Sequence, residues 1–322
     1  MIRTGGWRDL SLLRRLAPRG VCLHSEAALT TGARVMQKGL VGLFSPYRGA
    51  TTLVWCGDGD EKAAFAQMQL EGGAQRARVY FIAPAGAETP SERSVALLEG
   101  LAQEAGACAA RNLMAEAQEG SAEFVALRQA GFAIYARQKV YRMLSRPEGA
   151  KAGIEIHPCA APDKVATQRL YSNIVPALVR HVEPTPTGTD DGFVLRCDDD
   201  VVALLSVNRG PKGIWLQPFV HPEAEGTIGD VLAAFMQLQQ NDPRMPVYVC
   251  ARSYQSWMRG ALQAAGFEPW GQQAIMVKRL TVSAKKPARK PIPAIAATEV
   301  KISAPVAKTF LFKATAMVTD EE

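Results

Sequence analysis

Residues 115–144 read A-E-A-Q-E-G-S-A-E-F-V-A-L-R-Q-A-G-F-A-I-Y-A-R-Q-K-V-Y-R-M-L, and this stretch decides the fold because it occurs twice. A gapless shift of 135 residues sets Leu127, Gly131 and Phe132 on Leu262, Gly266 and Phe267, and sets Tyr135 and Gln138 on Trp270 and Gln273. Upstream, the strand-like runs ending Val79-Tyr80-Phe81-Ile82-Ala83-Pro84 and Gln217-Pro218-Phe219-Val220-His221-Pro222 match at a shift of 138. A period of that size is one small domain, too long for a solenoid unit. The expected organisation is two related domains, residues 1–148 and 149–280, followed by a tail over 281–322.

The chain has 322 residues, 48% hydrophobic and 21% charged, enough for two domains with their own cores. Its formal charge of +6 overstates the folded part, because residues 281–322 carry seven Lys/Arg against four Asp/Glu. No basic cluster stands out before residue 281, so no nucleic-acid partner is expected. Six cysteines lie 34 to 53 residues apart, without C-x-x-C or Cys/His spacing; reduced, mostly buried thiols and no metal are expected. Met1 to Ser11 lacks the apolar run of a signal peptide, and no run approaches 18 apolar residues, so the expectation is a cytoplasmic chain without membrane contact.

In the first half, Ile2-Arg3 reads as a short strand and Leu10 to Leu16 as a helix ended by Pro18 and Gly20. Residues 25–48 read as helix then loop. Ala50 to Cys56, Ala63 to Leu70 and Arg78 to Ala83 make a three-strand meander, with Gly57-Asp58-Gly59-Asp60 as its first turn. A helix over Ser91 to Ala105 buries Val95, Leu98, Leu101, Ala102 and Ala105, with Thr89 as its cap and Glu92 completing a capping box. Ala110 to Ala117 is a strand, Ser121 to Ala130 a helix closed by Gly131, and Phe132 to Leu144 one or two strands.

The second half repeats the plan. It has a strand at Gly153 to His157, a helix over Lys164 to Val175 with Val165, Leu170 and Ile174 inward, and a meander over Gly192 to Cys197, Val201 to Val207 and Gly213 to Val220. A helix follows with Ile228, Val231, Leu232, Phe235 and Leu238 inward, then a strand at Met245 to Ala251, a helix at Gln255 to Ala265, and final strands at Phe267 to Leu280. From Thr281 the Lys/Pro/Ala/Thr texture reads as a disordered basic tail, with Phe310 to Val318 as a candidate partner contact.

This order of elements resembles the GCN5-related N-acetyltransferase (GNAT) family, in tandem over about residues 1–280. Gln129-Ala130-Gly131-Phe132 and Ala264-Ala265-Gly266-Phe267 are similar to its helix-ending L-G-F. Val220-His221-Pro222-Glu223 and Gly226-x-Ile228-Gly229 add to the likeness. The resemblance implies an α+β fold of two domains, each a mixed, mostly antiparallel sheet flanked by helices. It implies that a fourth strand splays from a fifth and that the pantetheine arm of acetyl-CoA inserts between them. The pyrophosphate then rests on free N–H groups at the next helix start, where the dipole favours an anion and glycines admit it. The cofactor-binding residues so implied are Val220, His221, Gly226, Thr227, Ile228 and Gly229.

The sequence departs from the family pattern at several of these places. Glu225 replaces a basic residue, and a carboxylate about 5 Å from a phosphate charge costs on the order of 3 kcal/mol at an effective dielectric near 20. In the first half no glycine pair is present, and Thr89 and Glu92 would use the helix-start donors for capping. The family's tyrosine falls on Leu127 and Leu262, and its asparagine on Gly120 and Gln255, so no catalytic residue is assigned.

Tyr135, Tyr141 and Trp270 could line a cleft, but alternating aromatic residues read first as sheet packing. Tyr80 and Gln217 could position an amine, with pleat packing as the plainer reading. Glu116 and Glu119 read as exposed acids at a strand end, His221 as a solvent-facing residue, and Arg137, Lys139 and Arg142 as a solvated face. Two functions follow: acetyl transfer from acetyl-CoA to a small-molecule or peptide amine, or a tandem scaffold without catalysis that binds a ligand or partner.

Overall fold

A computed structural model describes residues 1–32, 50–56, 63–71, 75–86, 91–144, 153–186, 192–198, 200–239 and 245–281. They lie in one compact unit, Met1–Ser283. The expected boundary at residue 148, the Gly57–Asp60 turn, Thr89 and the tail from residue 282 onward lie outside the described residues.

The first half runs β1 (Ile2–Thr4), α1 (Leu10–Leu16), β2 (Val21–Cys22), α2 (Ser25–Thr31), β3 (Ala50–Trp55), β4 (Ala64–Glu71), β5 (Arg76–Ala83), α3 (Glu92–Ala107), β6 (Asn112–Ala117), α4 (Ala122–Gln129) and β7 (Ala133–Met143). The second runs β8 (His157–Pro158), α5 (Lys164–Ile174), α6 (Ala177–Arg180), β9 (Phe193–Cys197), β10 (Asp200–Gly210), β11 (Gly213–Val220), α7 (Ile228–Leu238), β12 (Val247–Arg252), α8 (Met258–Ala264) and β13 (Glu268–Arg279).

All strands join one sheet in the order β1-β3-β4-β5-β6-β13-β7-β12-β11-β10-β9-β8, with β2 beside β5. The last strand of each half has crossed over: β13 lies between β6 and β7, and β7 between β13 and β12. Gln138 opposes Gln273 at the centre, and the Gln138 amide donates to Gln273 Oε1 at 3.2 Å. These are the residues the 135-residue shift superposes, so a pseudo-two-fold axis passes between them. Exchange of like elements costs little, because each strand finds in the other half the edge it would find in its own.

Local chemistry repeats with the sheet. Gly131 and Gly266 adopt φ of +85° and +88°. Phe132 N–H bonds to Leu127 C=O and Gly131 N–H to Arg128 C=O; Phe267 and Gly266 make the same bonds to Leu262 and Gln263. This paired helix stop needs a left-handed residue, which glycine adopts without strain. Leu127, Leu262 and the phenylalanines after the glycines are buried in two cores, one per half, where each such side chain contributes about 1.5–3 kcal/mol.

Some helix details differ from expectation. The cap of α3 is Ser91, whose hydroxyl accepts the Ser94 N–H, and Glu92 is already helical. In α5 the inward stripe is Thr167, Leu170 and Tyr171, while Val165 falls off it and is 69% exposed. Leu238, at the last turn of α7, is likewise exposed. Of the six free cysteines, Cys159 and Cys250 are buried and Cys108 and Cys197 exposed.

Candidate active site

In each half the fourth and fifth strands are parallel and pair only at their beginnings. β5 and β6 pair through Arg78 and Met114, and β11 and β12 through Leu216 and Val249; beyond those residues each pair parts. The chain itself enters the first seam. Val21 and Cys22 of β2 pair with Ile82 and Phe81 along β5. Leu23 then donates its N–H to Tyr80 C=O and accepts the Glu116 N–H, both at 2.9 Å, so its backbone spans the gap. A Cβ on Gly20 would stand 2.3 Å from the Phe81 ring, which is why glycine leads the chain in. What is left of the slot, between Leu23, Ser94, Ala122 and Ala126, is about 10 Å³, near the minimum for one water.

The second seam is spanned by a side chain. Gln255 donates from Nε2 to Pro218 C=O at 2.6 Å and accepts the Arg252 N–H at 3.1 Å. It lies in a 3-10 turn, Ser253–Gln255, ahead of α8, and not in the helix expected from residue 255. Backbone groups of a strand alternate sides, so Val220 N–H faces the seam with Pro218 C=O, while His221 N–H bonds to Val202 C=O on the other side.

The implied phosphate cradle is a 3-10 helix, Pro222–Thr227, running into α7. Glu223 N–H is taken by His221 Nδ1 and Ile228 N–H by Glu225 C=O. Val220 and Ile228 are buried, whereas a Cβ on Gly226 or Gly229 would meet nothing within 4 Å among the described residues. Gly86, in the first half, is instead packed on Ala122 and bonded through its N–H to Glu123. Among the described residues the second loop is therefore open above its glycines, whereas Gly86 is covered by α4.

Both seams end at a polar cavity of about 150 Å³ between the halves. Arg78 donates to Glu71 at 3.0 Å and to Glu116 at 3.3 Å, and Arg252 donates through Nη2 to both oxygens of Glu183 at 2.8 and 2.9 Å. Glu116 is buried, correcting the exposed acid expected: Ser25 N–H and the Gln138 amide also bond it, each at 2.9 Å. Tyr135 is buried and donates to Glu183 at 2.5 Å; burial and the Glu183 charge hold its hydroxyl well above the ordinary phenol range. His24 follows the seam-filling segment, edge-on to Tyr80, with a buried Nδ1 that has no partner among the described residues. Burial and the Arg78 charge keep its imidazole neutral well below pH 6.5. Glu26 accepts from Asn208, and burial raises its carboxyl above the usual range.

Gln217 lines this cavity and Tyr80 abuts it through His24, whereas Tyr141 is core, and Trp270 is half exposed beneath the Arg142 guanidinium at 3.9 Å. Glu119 pairs with Arg137 on the surface. Sequence reasoning missed His24, Glu26, Glu183 and Arg252. They come from three separate segments, and no local pattern marks them. Among the described residues no His/Cys/Asp/Glu group is placed to hold a metal, and no helix is long and apolar enough to cross a membrane.

Solved structures share this architecture. A GCN5-related N-acetyltransferase from Sphaerobacter thermophilus superposes with a TM-score of 0.54 at 14% identity, covering 87% of this chain and 95% of its own. A tandem GNAT protein from the clavulanic acid biosynthesis pathway gives 0.50 at 16% identity, covering 87% and 98%. No protein-family model and no curated protein matches the sequence.

Proposed function

We propose that this chain, a tandem GNAT fold, is an acyl-CoA-dependent N-acyltransferase whose second half holds the acyl carrier and whose central cavity receives the acceptor amine. One contrast carries the reading: among the described residues Gly226 and Gly229 meet no neighbour beside a seam crossed by one side chain, whereas the first seam is paired with β2 and Gly86 is packed on Ala122 of α4. The first half does not fit the carrier. There Val21–Leu23 already takes the hydrogen bonds that a pantetheine arm would make along β5.

Acetyl-CoA would supply an activated acetyl group. In the second half Val220 N–H is the seam-facing donor beyond Pro218, which has none, and Gln255 is the group that yields or shares its bonds on entry. The cavity side chains orient an amine and keep bulk water away. Glu26, with its raised carboxyl pKa, is the base we assign to take the ammonium proton, since a base poised nearer neutrality transfers protons best. The acidic Glu223 and Glu225 beside the loop weaken pyrophosphate binding, so affinity for the carrier is expected to be modest.

Incubating the full chain with acetyl-CoA and a panel of amines, with free thiol as the readout, tests the reading. Amine-dependent thiol release supports it. Calorimetric silence towards acetyl-CoA would favour the non-catalytic scaffold.

A further inference from the structure

Away from the seams, α1 continues without a break into 3-10 turns at both ends, Trp7–Asp9 and Ala17–Arg19, which makes a rod of about 20 Å. Its inner side, Leu10, Leu12, Leu13 and Leu16, packs with Val54, Phe65 and Phe81. Outside, Arg8, Arg15 and Arg19 stand in one line at helical spacing, with Trp7 and Arg14 beside it, all exposed. Asp9, the one acid among residues 1–20, is buried and bonded to Arg3 at 2.7 Å and to the Gly6 N–H at 2.8 Å. Among the described residues Arg14 and Arg19 have no hydrogen-bond or ion-pair partner. Trp7 is 66% exposed, with the Arg8 guanidinium over its ring at 5.3 Å.

One solvated arginine is ordinary, but four along one side of one rod, with no exposed acid between them, attract anions. An indole left in water beside them asks for a surface that is apolar at one depth and wet at the next. Anionic lipid headgroups offer both: phosphates for the guanidinium forks and an interfacial layer for the indole. Nucleic acid offers phosphates too, but stacking on a base needs a free ring face, and Arg8 covers one face of Trp7. We propose that the outer side of residues 7–19 docks on a membrane surface rich in anionic lipid. The rod lies against the headgroups and does not enter, because its apolar side is already buried in the protein. The expectation of no membrane contact concerned insertion signals, which such a surface does not require.

Co-sedimentation of the full chain with vesicles tests this. Phosphatidylcholine alone is compared with a mixture of phosphatidylcholine and phosphatidylglycerol, at low and at high salt. Binding is expected on the mixed vesicles at low salt, and ten-fold or more weaker on phosphatidylcholine or at high salt, where screening removes the attraction. Arg14→Gln with Arg19→Gln should weaken it about thirty-fold, at about 1 kcal/mol for each arginine. The matching pair of lysine changes should keep it, which separates charge from any loss of fold. Tryptophan emission should shift to the blue on mixed vesicles, and Trp7→Ala should remove the shift. Silence, equal binding to both vesicle types, or binding untouched by the glutamine pair overturns the proposal; the last would place the contact elsewhere in the chain. So would vesicle silence beside retention of a labelled DNA 20-mer that the glutamine pair abolishes, which would give the face to nucleic acid.

Discussion

Leu23 and Gln255 make the same bridge with different parts of the residue. In the first half the Leu23 backbone N–H and C=O link Tyr80 C=O on β5 to Glu116 N–H on β6; in the second the Gln255 amide links Pro218 C=O on β11 to Arg252 N–H on β12. Tyr80 and Pro218 are the residues that the 138-residue repeat superposes. Each amide replaces pairing that the parting strands no longer give each other, and neither end can be left dry and unpaired without cost. A peptide held by β2 is part of the backbone and does not swing aside. A side chain can, and the proposed asymmetry between the halves follows from that difference.

The wedge is testable through Gly20. Gly20→Val sets a branched side chain against Phe81 and Ala83 and should force β2 off β5, costing about 1–3 kcal/mol by overpacking. Urea unfolding measures it. An unchanged midpoint would mean that β2 does not seat as described.

Glu116 is the anchor common to wedge and cavity. Glu116→Ala strands Arg78 beside Glu71 and removes partners from Ser25 N–H and Gln138, so a loss of about 3–5 kcal/mol is expected, as for breaking a buried pair. Glu119→Ala, whose partner Arg137 lies on the surface, should cost well under 1 kcal/mol. Equal losses in the two variants would contradict the burial assigned to Glu116.

Why was so much visible in sequence, and why not these residues? The repeat, the glycine helix stops and the meanders rest on local rules, and the structure carries them all at nearby bounds. The strand exchange does not, because β7 and β13 have like patterns and either edge would accept either strand. Glu116 sits where strand ends meet solvent; its burial comes from Ser25 and Gln138, 91 residues before it and 22 after. Gln255 looks like a helix start, and only the gap between β11 and β12 makes it a bridge. Site chemistry assembled across a duplicated fold leaves no mark within any one segment.

His24 gives stability a pH signature. Its folded-state pKa lies below the ordinary 6.5, so near that pH the unfolded chain takes up a proton that the folded chain refuses. The contribution of the neutral imidazole is complete above pH 6.5 and lost as pH falls, at a slope of up to about 1.4 kcal/mol per pH unit. Glu26, with a raised pKa, pulls the opposite way at lower pH but is common to both proteins compared. Chemical denaturation between pH 7.5 and 5, on the native chain and on His24→Asn, should give the steeper fall for the native chain. Parallel curves would refute the burial of a neutral His24.

Glu26→Gln keeps the shape and removes the base. The account expects acetyl-CoA affinity to hold and kcat to fall about a hundred-fold, in line with loss of a general base. Steady-state thiol release against amine concentration reads both, and undiminished kcat would move the proton elsewhere.

The unequal seams meet their most direct test in titration calorimetry of the full chain with acetyl-CoA, repeated with Gly229→Glu and Gly86→Glu. One molecule per chain, abolished by the change at Gly229 and untouched by the change at Gly86, is the predicted result. Two molecules per chain, none, or one lost through Gly86 alone would contradict it.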